Sequence, residues 1–63
     1  MTPSKVNLSG PDGNAFVLLM YAKQYCNELG IDSVPVVADM KSSDYEHLIS
    51  VFRETFSEYV EIV

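Results

Sequence analysis

Residues 14–31, NAFVLLMYAKQYCNELGI, decide the fold of this 63-residue chain. Asn14 fits the N-cap position of a helix, because its side-chain oxygen can accept a hydrogen bond from a free amide of the first turn. Gly30 followed by Ile31 is typical of a left-handed C-cap with a hydrophobic partner. A continuous apolar stripe at helical spacing comprises Ala15, Leu18, Leu19, Ala22, Cys26 and Leu29. The stretch therefore predicts a helix over residues 15–29.

The first two turns of this helix are also apolar on a second side, through Phe16, Val17, Met20 and Tyr21. A helix with apolar residues on more than one side is either central in the fold or part of an interface. The apolar residues that exceed the needs of the predicted core form the candidate interface, which comprises Phe16, Val17, Met20, Tyr21, Tyr25, Tyr59 and Val63.

The segment before this helix predicts a strand and a turn. Residues 5–8 alternate polar and apolar side chains, with Val6 and Leu8 on one face, as in a half-buried strand. Residues 9–14, SGPDGN, combine proline, aspartate and glycine in the manner of a tight turn. We therefore expect the chain to reverse between the strand and the helix.

Residues 31–41 predict a short second helix. It opens at Asp32 or Ser33, and Pro35 lies in its first turn, where a missing amide costs nothing. The apolar edge of this helix comprises Val34, Val37 and Met40.

A third helix and a final strand follow. Ser43 and Glu46 have the spacing of a capping box, and Asp44 complements the helix dipole. Beyond this helix the period changes to two, with Val60 and Ile62 on one face. The predicted buried stripe of the third helix comprises Tyr45, Leu48, Ile49, Phe52 and Phe56.

This order of elements predicts one small α+β domain over residues 1–63, arranged β-α-α-α-β, with the two ends paired as a ribbon packed on the helices. If the first and third helices lie antiparallel, the ribbon is antiparallel and brings Lys5 near Glu61. Two strands leave two open edges, where a further strand can add.

Length and composition argue against several classes of function. A chain of 7.0 kDa buries only about 60% of its unfolded surface, so we expect no enzyme, cofactor or small-molecule substrate. No apolar run approaches the roughly 18 residues of a membrane span, and residues 1–10 lack the apolar block of a signal peptide. The one cysteine excludes an internal disulfide, and four scattered cations provide no basic surface for direct nucleic-acid binding.

Three features resemble reactive sites and have simpler explanations. The loop at residues 10–14 precedes a helix N-terminus but lacks the lysine and the glycine spacing of a phosphate-binding loop, so we expect a turn. Cys26 lies on the apolar stripe, and we expect a packed side chain rather than a nucleophile. His47, with Asp44 and Glu54 nearby in sequence, has no second histidine or cysteine at ligand spacing, so we expect an exposed helical histidine and no metal site.

Four segments carry a resemblance to a known group of proteins. These are NLSGPDGNAF at residues 7–16, VLLMYAK at 17–23, MKSSDYEHL at 40–48 and YVEI at 59–62. Together they resemble small uncharacterised proteins encoded by tailed bacteriophages. The resemblance implies a phage accessory protein in the cytoplasm of an infected bacterium, and it implies no activity.

Charge is unevenly divided along the chain, whose net charge is −5. Residues 1–27 carry two lysines and one aspartate, a net of +1, whereas residues 28–63 carry two cations and eight carboxylates, a net of −6. Two functional hypotheses follow. The first is a noncatalytic interaction protein that binds itself, as a homodimer, or a host protein through its surplus apolar surface. The alternative is an acidic inhibitor or DNA mimic that occupies a basic groove of a host nucleic-acid enzyme.

Overall fold

Three helices and a small ribbon make up the fold in a computed structural model, which describes residues 5–63. In chain order, the elements are β1 (Lys5–Val6), a 3-10 helix (Pro11–Gly13), α1 (Ala15–Leu29), α2 (Ser33–Met40), α3 (Tyr45–Phe56) and β2 (Glu61–Ile62). The predicted β-α-α-α-β order is present, with an added 3-10 turn, and most of the described chain is helical. The expectation about a signal peptide concerns residues 1–10, of which 1–4 lie outside the described residues.

Helix α1 has the predicted bounds and the predicted caps. The Asn14 side chain accepts a hydrogen bond from the Phe16 amide at 2.8 Å. At the other end, Gly30 has a φ of 72°, and the Ile31 amide donates to the Cys26 carbonyl at 2.8 Å. A positive φ of this size strains any residue with a Cβ, so glycine fits this cap.

The predicted capping box of α3 is wrong in its capping residue. Asp44 is the N-cap, and its carboxylate accepts from the His47 amide at 2.9 Å, while Ser43 lies one residue outside the cap. Both residue types cap helices well, but a carboxylate also complements the positive helix N-terminus. Asp32 caps α2 in the same way, accepting from the Val34 amide at 3.0 Å.

The ribbon is parallel, and the predicted antiparallel ribbon is wrong. Lys5 pairs with Glu61 and Val6 with Ile62, and the Lys5 ammonium lies 3.6 Å from a Glu61 carboxylate oxygen, as expected. The prediction assumed that α1 and α3 lie antiparallel. It did not consider the packing of α2, which contacts both of them. A long helical crossover is the connection that parallel neighbouring strands require.

The core lies where α1, α2 and α3 meet the ribbon. Its buried side chains are Val6, Leu18, Ala22, Tyr25, Cys26, Met40, Leu48, Phe52, Phe56 and Val60. Two predicted stripe residues, Leu29 and Tyr45, lie instead at the surface. The Tyr45 hydroxyl donates to the Gly13 carbonyl, so this tyrosine ties the start of α3 to the turn before α1.

Candidate protein interface

Tyr25 is buried, and its predicted place in the interface is wrong. Its ring is inaccessible to solvent and contacts Tyr21, Phe52, Phe56 and Tyr59, with centroid separations of 5.4 to 6.2 Å. Burial raises the pKa of its phenol to about 12. Tyr25 follows Leu18 by seven positions and so shares the core-facing side of α1.

Tyr21 and Tyr59 border the same aromatic cluster, and their hydroxyls bond within the chain. The Tyr21 hydroxyl donates to Asp12 at 3.0 Å, and the Tyr59 hydroxyl donates to the Glu28 carboxylate. The carboxylate partner raises the pKa of each phenol. Tyr21 is half-buried and Tyr59 is partly exposed. Because both hydroxyls form intramolecular hydrogen bonds, the orientation of each side chain is fixed within the chain.

Val63 and Val17 lie apart from the aromatic cluster. Val63 extends the ribbon, since its amide donates to the Val6 carbonyl at 2.9 Å and its carbonyl accepts from the Leu8 amide at 2.8 Å. Its side chain is partly exposed, and Val17 is half-buried. The ribbon therefore offers one apolar side chain at its end.

Phe16 and Met20 form an exposed apolar row on α1. Phe16 is 83% exposed and Met20 is 48% exposed. They are four positions apart, and Lys23 follows at the next turn, so all three lie on the outer face of the helix. Val63, also 48% exposed, and Tyr59, 43% exposed, lie elsewhere on the surface, so Phe16 and Met20 are the predicted interface residues that form an exposed row on one helix face.

A groove between α1 and α2 includes Lys23, which lies on the same face of α1 as this row. This groove was not predicted from the sequence. It has a volume of about 260 Å³ and is lined by Lys23, Ser33, Val34, Val37, Ala38 and Lys41. Val34 is 71% exposed, although the sequence placed it on one apolar edge with Val37 and Met40. A spacing of three residues falls about 60° short of a full turn, so this edge winds around the helix and leaves Val34 outside the core.

Comparisons with protein-family models, curated proteins and solved structures gave no significant match. Within residues 5–63, no group of three or more histidine, cysteine, aspartate and glutamate side chains is arranged to hold a metal ion. No helix in the described part of the chain has both the length and the apolar character needed to cross a membrane.

A second groove lies between α3 and β2 and has a different character. It has a volume of about 520 Å³ and is lined by Arg53, Glu54, Ser57, Glu61 and Ile62. Its lining includes one cation and two carboxylates, whose charges partly cancel. The electrostatic potential of this groove is therefore weaker than that of a surface with charges of one sign.

The two candidate reactive side chains have structural roles. Cys26 is buried, and burial raises the pKa of its thiol, which disfavours the nucleophilic thiolate. His47 is half-buried rather than exposed, and its Nε2 lies 3.0 Å from an Asp39 carboxylate oxygen. This pair joins the end of α2 to the start of α3, and Glu54 takes no part in it.

The His47–Asp39 pair makes stability depend on pH. The hydrogen bond to Asp39 raises the pKa of His47, and the charges of Asp39 and Asp44 act in the same direction. A raised pKa in the folded state means that the pair stabilises the fold fully below the unfolded pKa of about 6.5 and loses its effect as pH rises through the folded value. We expect His47→Gln to be less stable than the unmodified chain at about pH 5.5 and nearly equal to it at about pH 8.5.

Thermal unfolding at both pH values measures this difference. Asp39→Asn is the matched variant, because it removes the other half of the pair and should reduce the same pH dependence. A stability difference that stayed constant between the two pH values would contradict the assignment.

Proposed function

We propose that this chain is a noncatalytic interaction protein that binds a protein partner through the row formed by Phe16 and Met20. The observation that carries the proposal is the exposure of Phe16, a large apolar side chain held in place at the capped N-terminus of α1. Burying such a side chain in a complex is worth about 1.5–3 kcal/mol. Aromatic residues and methionine are also enriched at the centres of protein interfaces.

The biological setting in this proposal comes from the resemblance to tailed-phage proteins. An accessory protein of that kind would act in the cytoplasm of an infected bacterium, on a second copy of itself or on a host protein. The face of α1 opposite the row is covered by the core, so a partner reaches the helix from the Phe16 side.

Serine substitutions test which face makes the contact. We expect Phe16→Ser with Met20→Ser to weaken the complex at least about tenfold, since about 1.4 kcal/mol corresponds to that factor. Val63→Ser, which alters the end of the ribbon, should change the affinity of the complex less than about twofold. Light scattering measures self-association against the monomer mass of 7.0 kDa, and affinity capture from bacterial lysate measures binding to a host protein.

A reversed result would reject the proposal. If Val63→Ser abolished the complex and the double variant kept it, the contact would lie at the ribbon. Unchanged folding of each variant, checked by circular dichroism, separates lost binding from lost structure.

The second candidate function is the acidic inhibitor, and one observation favours it. All eight carboxylates of residues 28–63 are exposed. Several of them are engaged within the chain, however: Asp32 and Asp44 cap helices, Asp39 binds His47, and Glu61 pairs with Lys5. This function predicts capture of a nucleic-acid enzyme that weakens strongly at high salt, and capture independent of salt would reject it.

A further inference from the structure

The groove between α1 and α2 combines an apolar floor with positive charge. Val34, Val37 and Ala38 supply the floor from one helix. Lys23 from α1 and Lys41 from the end of α2 line the same groove. They are two of the four cations in a chain of net charge −5, so the groove differs in sign from the molecule as a whole.

Both lysines are available to an incoming anion. Within residues 5–63, the ion pairs are Lys5–Glu61 and His47–Asp39, and neither Lys23 nor Lys41 takes part in one. Asp32, at the N-cap of α2, accepts a hydrogen bond from the Val34 amide, and Asp39 lies 3.0 Å from the His47 ring, so neither carboxylate is paired with a groove lysine. An unpaired ammonium beside an apolar surface gains most from a carboxylate that arrives with its own apolar neighbours.

The same charges disfavour a symmetric dimer through this groove. In a two-fold interface the same patch meets itself. Lys23 and Lys41 of one copy would then face the same lysines of the other, and no residue that lines the groove is a carboxylate. Juxtaposed like charges cost free energy in an interface, so a partner with the opposite charge is favoured.

We propose that this groove binds an acidic amphipathic segment of a different protein, with apolar side chains against Val34, Val37 and Ala38 and carboxylates beside Lys23 and Lys41. The proposal rests on the function proposed above and names its partner by chemistry. A helix that presents leucines at i, i+3, i+4 and i+7 with glutamates on either side has this pattern. The Phe16–Met20 row and Lys23 lie on the same face of α1, so a segment bound in the groove can extend along that face towards the row.

Two synthetic peptides test the chemistry. Both carry leucines at the helical spacing given above, and one has glutamate and the other lysine at the remaining positions. Each is titrated into the isotopically labelled protein, and the amide NMR shifts of Lys23, Val34, Ala38 and Lys41 report binding at the groove. We expect the glutamate peptide to shift these amides with at least about tenfold higher affinity than the lysine peptide, a difference of about 1.4 kcal/mol.

Charge reversal provides a matched control. Lys23→Glu with Lys41→Glu and Lys5→Glu with Arg53→Glu both change two cations into two anions, so both take the net charge from −5 to −9. The groove variant should lose at least about tenfold in affinity for the glutamate peptide and gain for the lysine peptide at these amides. The control variant should change affinity at the groove less than about threefold, because its charges lie elsewhere.

Each remaining outcome identifies what fails. Equal shifts by the two peptides at the groove would overturn the acidic partner and leave the apolar interface standing. No shift at the groove by the glutamate peptide would overturn the inference, while the Phe16 and Met20 variants decide the proposed function separately. Concentration-dependent self-association that Lys23→Glu with Lys41→Glu removes would identify the occupant as a second copy and would also overturn it.

Discussion

Replacing Phe52 with alanine is expected to lower the free energy of unfolding by about 3–5 kcal/mol. Phe52 is inaccessible to solvent, and its ring contacts Tyr25 and Phe56 at centroid separations of 6.2 and 5.2 Å. The substitution leaves a cavity that these neighbours cannot fill without moving. A domain of this size has a total stability of about 3–9 kcal/mol, so the variant should be mostly unfolded or melt at a much lower temperature.

Phe16→Ala is the matched control, because it makes the same chemical change at an exposed position. It should change the unfolding free energy by less than about 0.5 kcal/mol. Urea denaturation followed by circular dichroism measures both variants. Equal losses of stability in the two would show that Phe16 is packed in solution and would remove the basis of the proposed interface.

Substituting Gly13 with alanine is expected to destabilise the fold by about 3 kcal/mol, at the upper end of overpacking effects. A Cβ at this position would overlap the carbonyl oxygen of Leu8 and lie 2.9 Å from its carbonyl carbon. Both are backbone atoms, and the Leu8 amide also bonds to Val63 in the ribbon. Relief of the overlap therefore disturbs either the turn or the pairing of the two strands.

Gly10→Ala tests whether the effect is specific to that close approach. The new methyl group would lie 3.8 Å from the Asn7 carbonyl oxygen, an ordinary contact. Gly10 has φ −105° and ψ −163°, which alanine also adopts. We expect the free energy of unfolding of this variant to change by less than about 1 kcal/mol, in either direction. Thermal unfolding of the Gly13→Ala and Gly10→Ala variants measures both changes. Similar losses for the two variants would mean that the turn tolerates no added side chain at all.

Local signals predicted the helices well, because caps and periodicity act within a few residues. Asn14 and Gly30 bound α1 where the sequence placed them, and the error at α3 was a choice between two adjacent capping residues. The direction of the ribbon depends instead on how three helices cross between its strands. Hydrophobic periodicity carries no information on that crossing.

The exposure of the candidate interface residues was predicted in part for the same reason. Phe16 and Met20 are exposed because the core of α1 faces the other way, which the stripe already indicated. The burial of Tyr25 depends on rings contributed by α3 and by Tyr59, which lie far away in the sequence. The groove beside Val34 exists only once two helices have packed, so a single-helix pattern does not reveal it.

The parallel pairing of the chain's first and last strands has a mechanical consequence. Because Lys5 lies opposite Glu61 and Leu8 bonds to Val63, the chain enters the ribbon at one end and leaves it at the other. Tension applied between residues 5 and 63 would therefore act along the strands and load the ladder hydrogen bonds together, in shear. In an antiparallel ribbon the two points of tension would lie at the same end, and the hydrogen bonds would break one after another from that end.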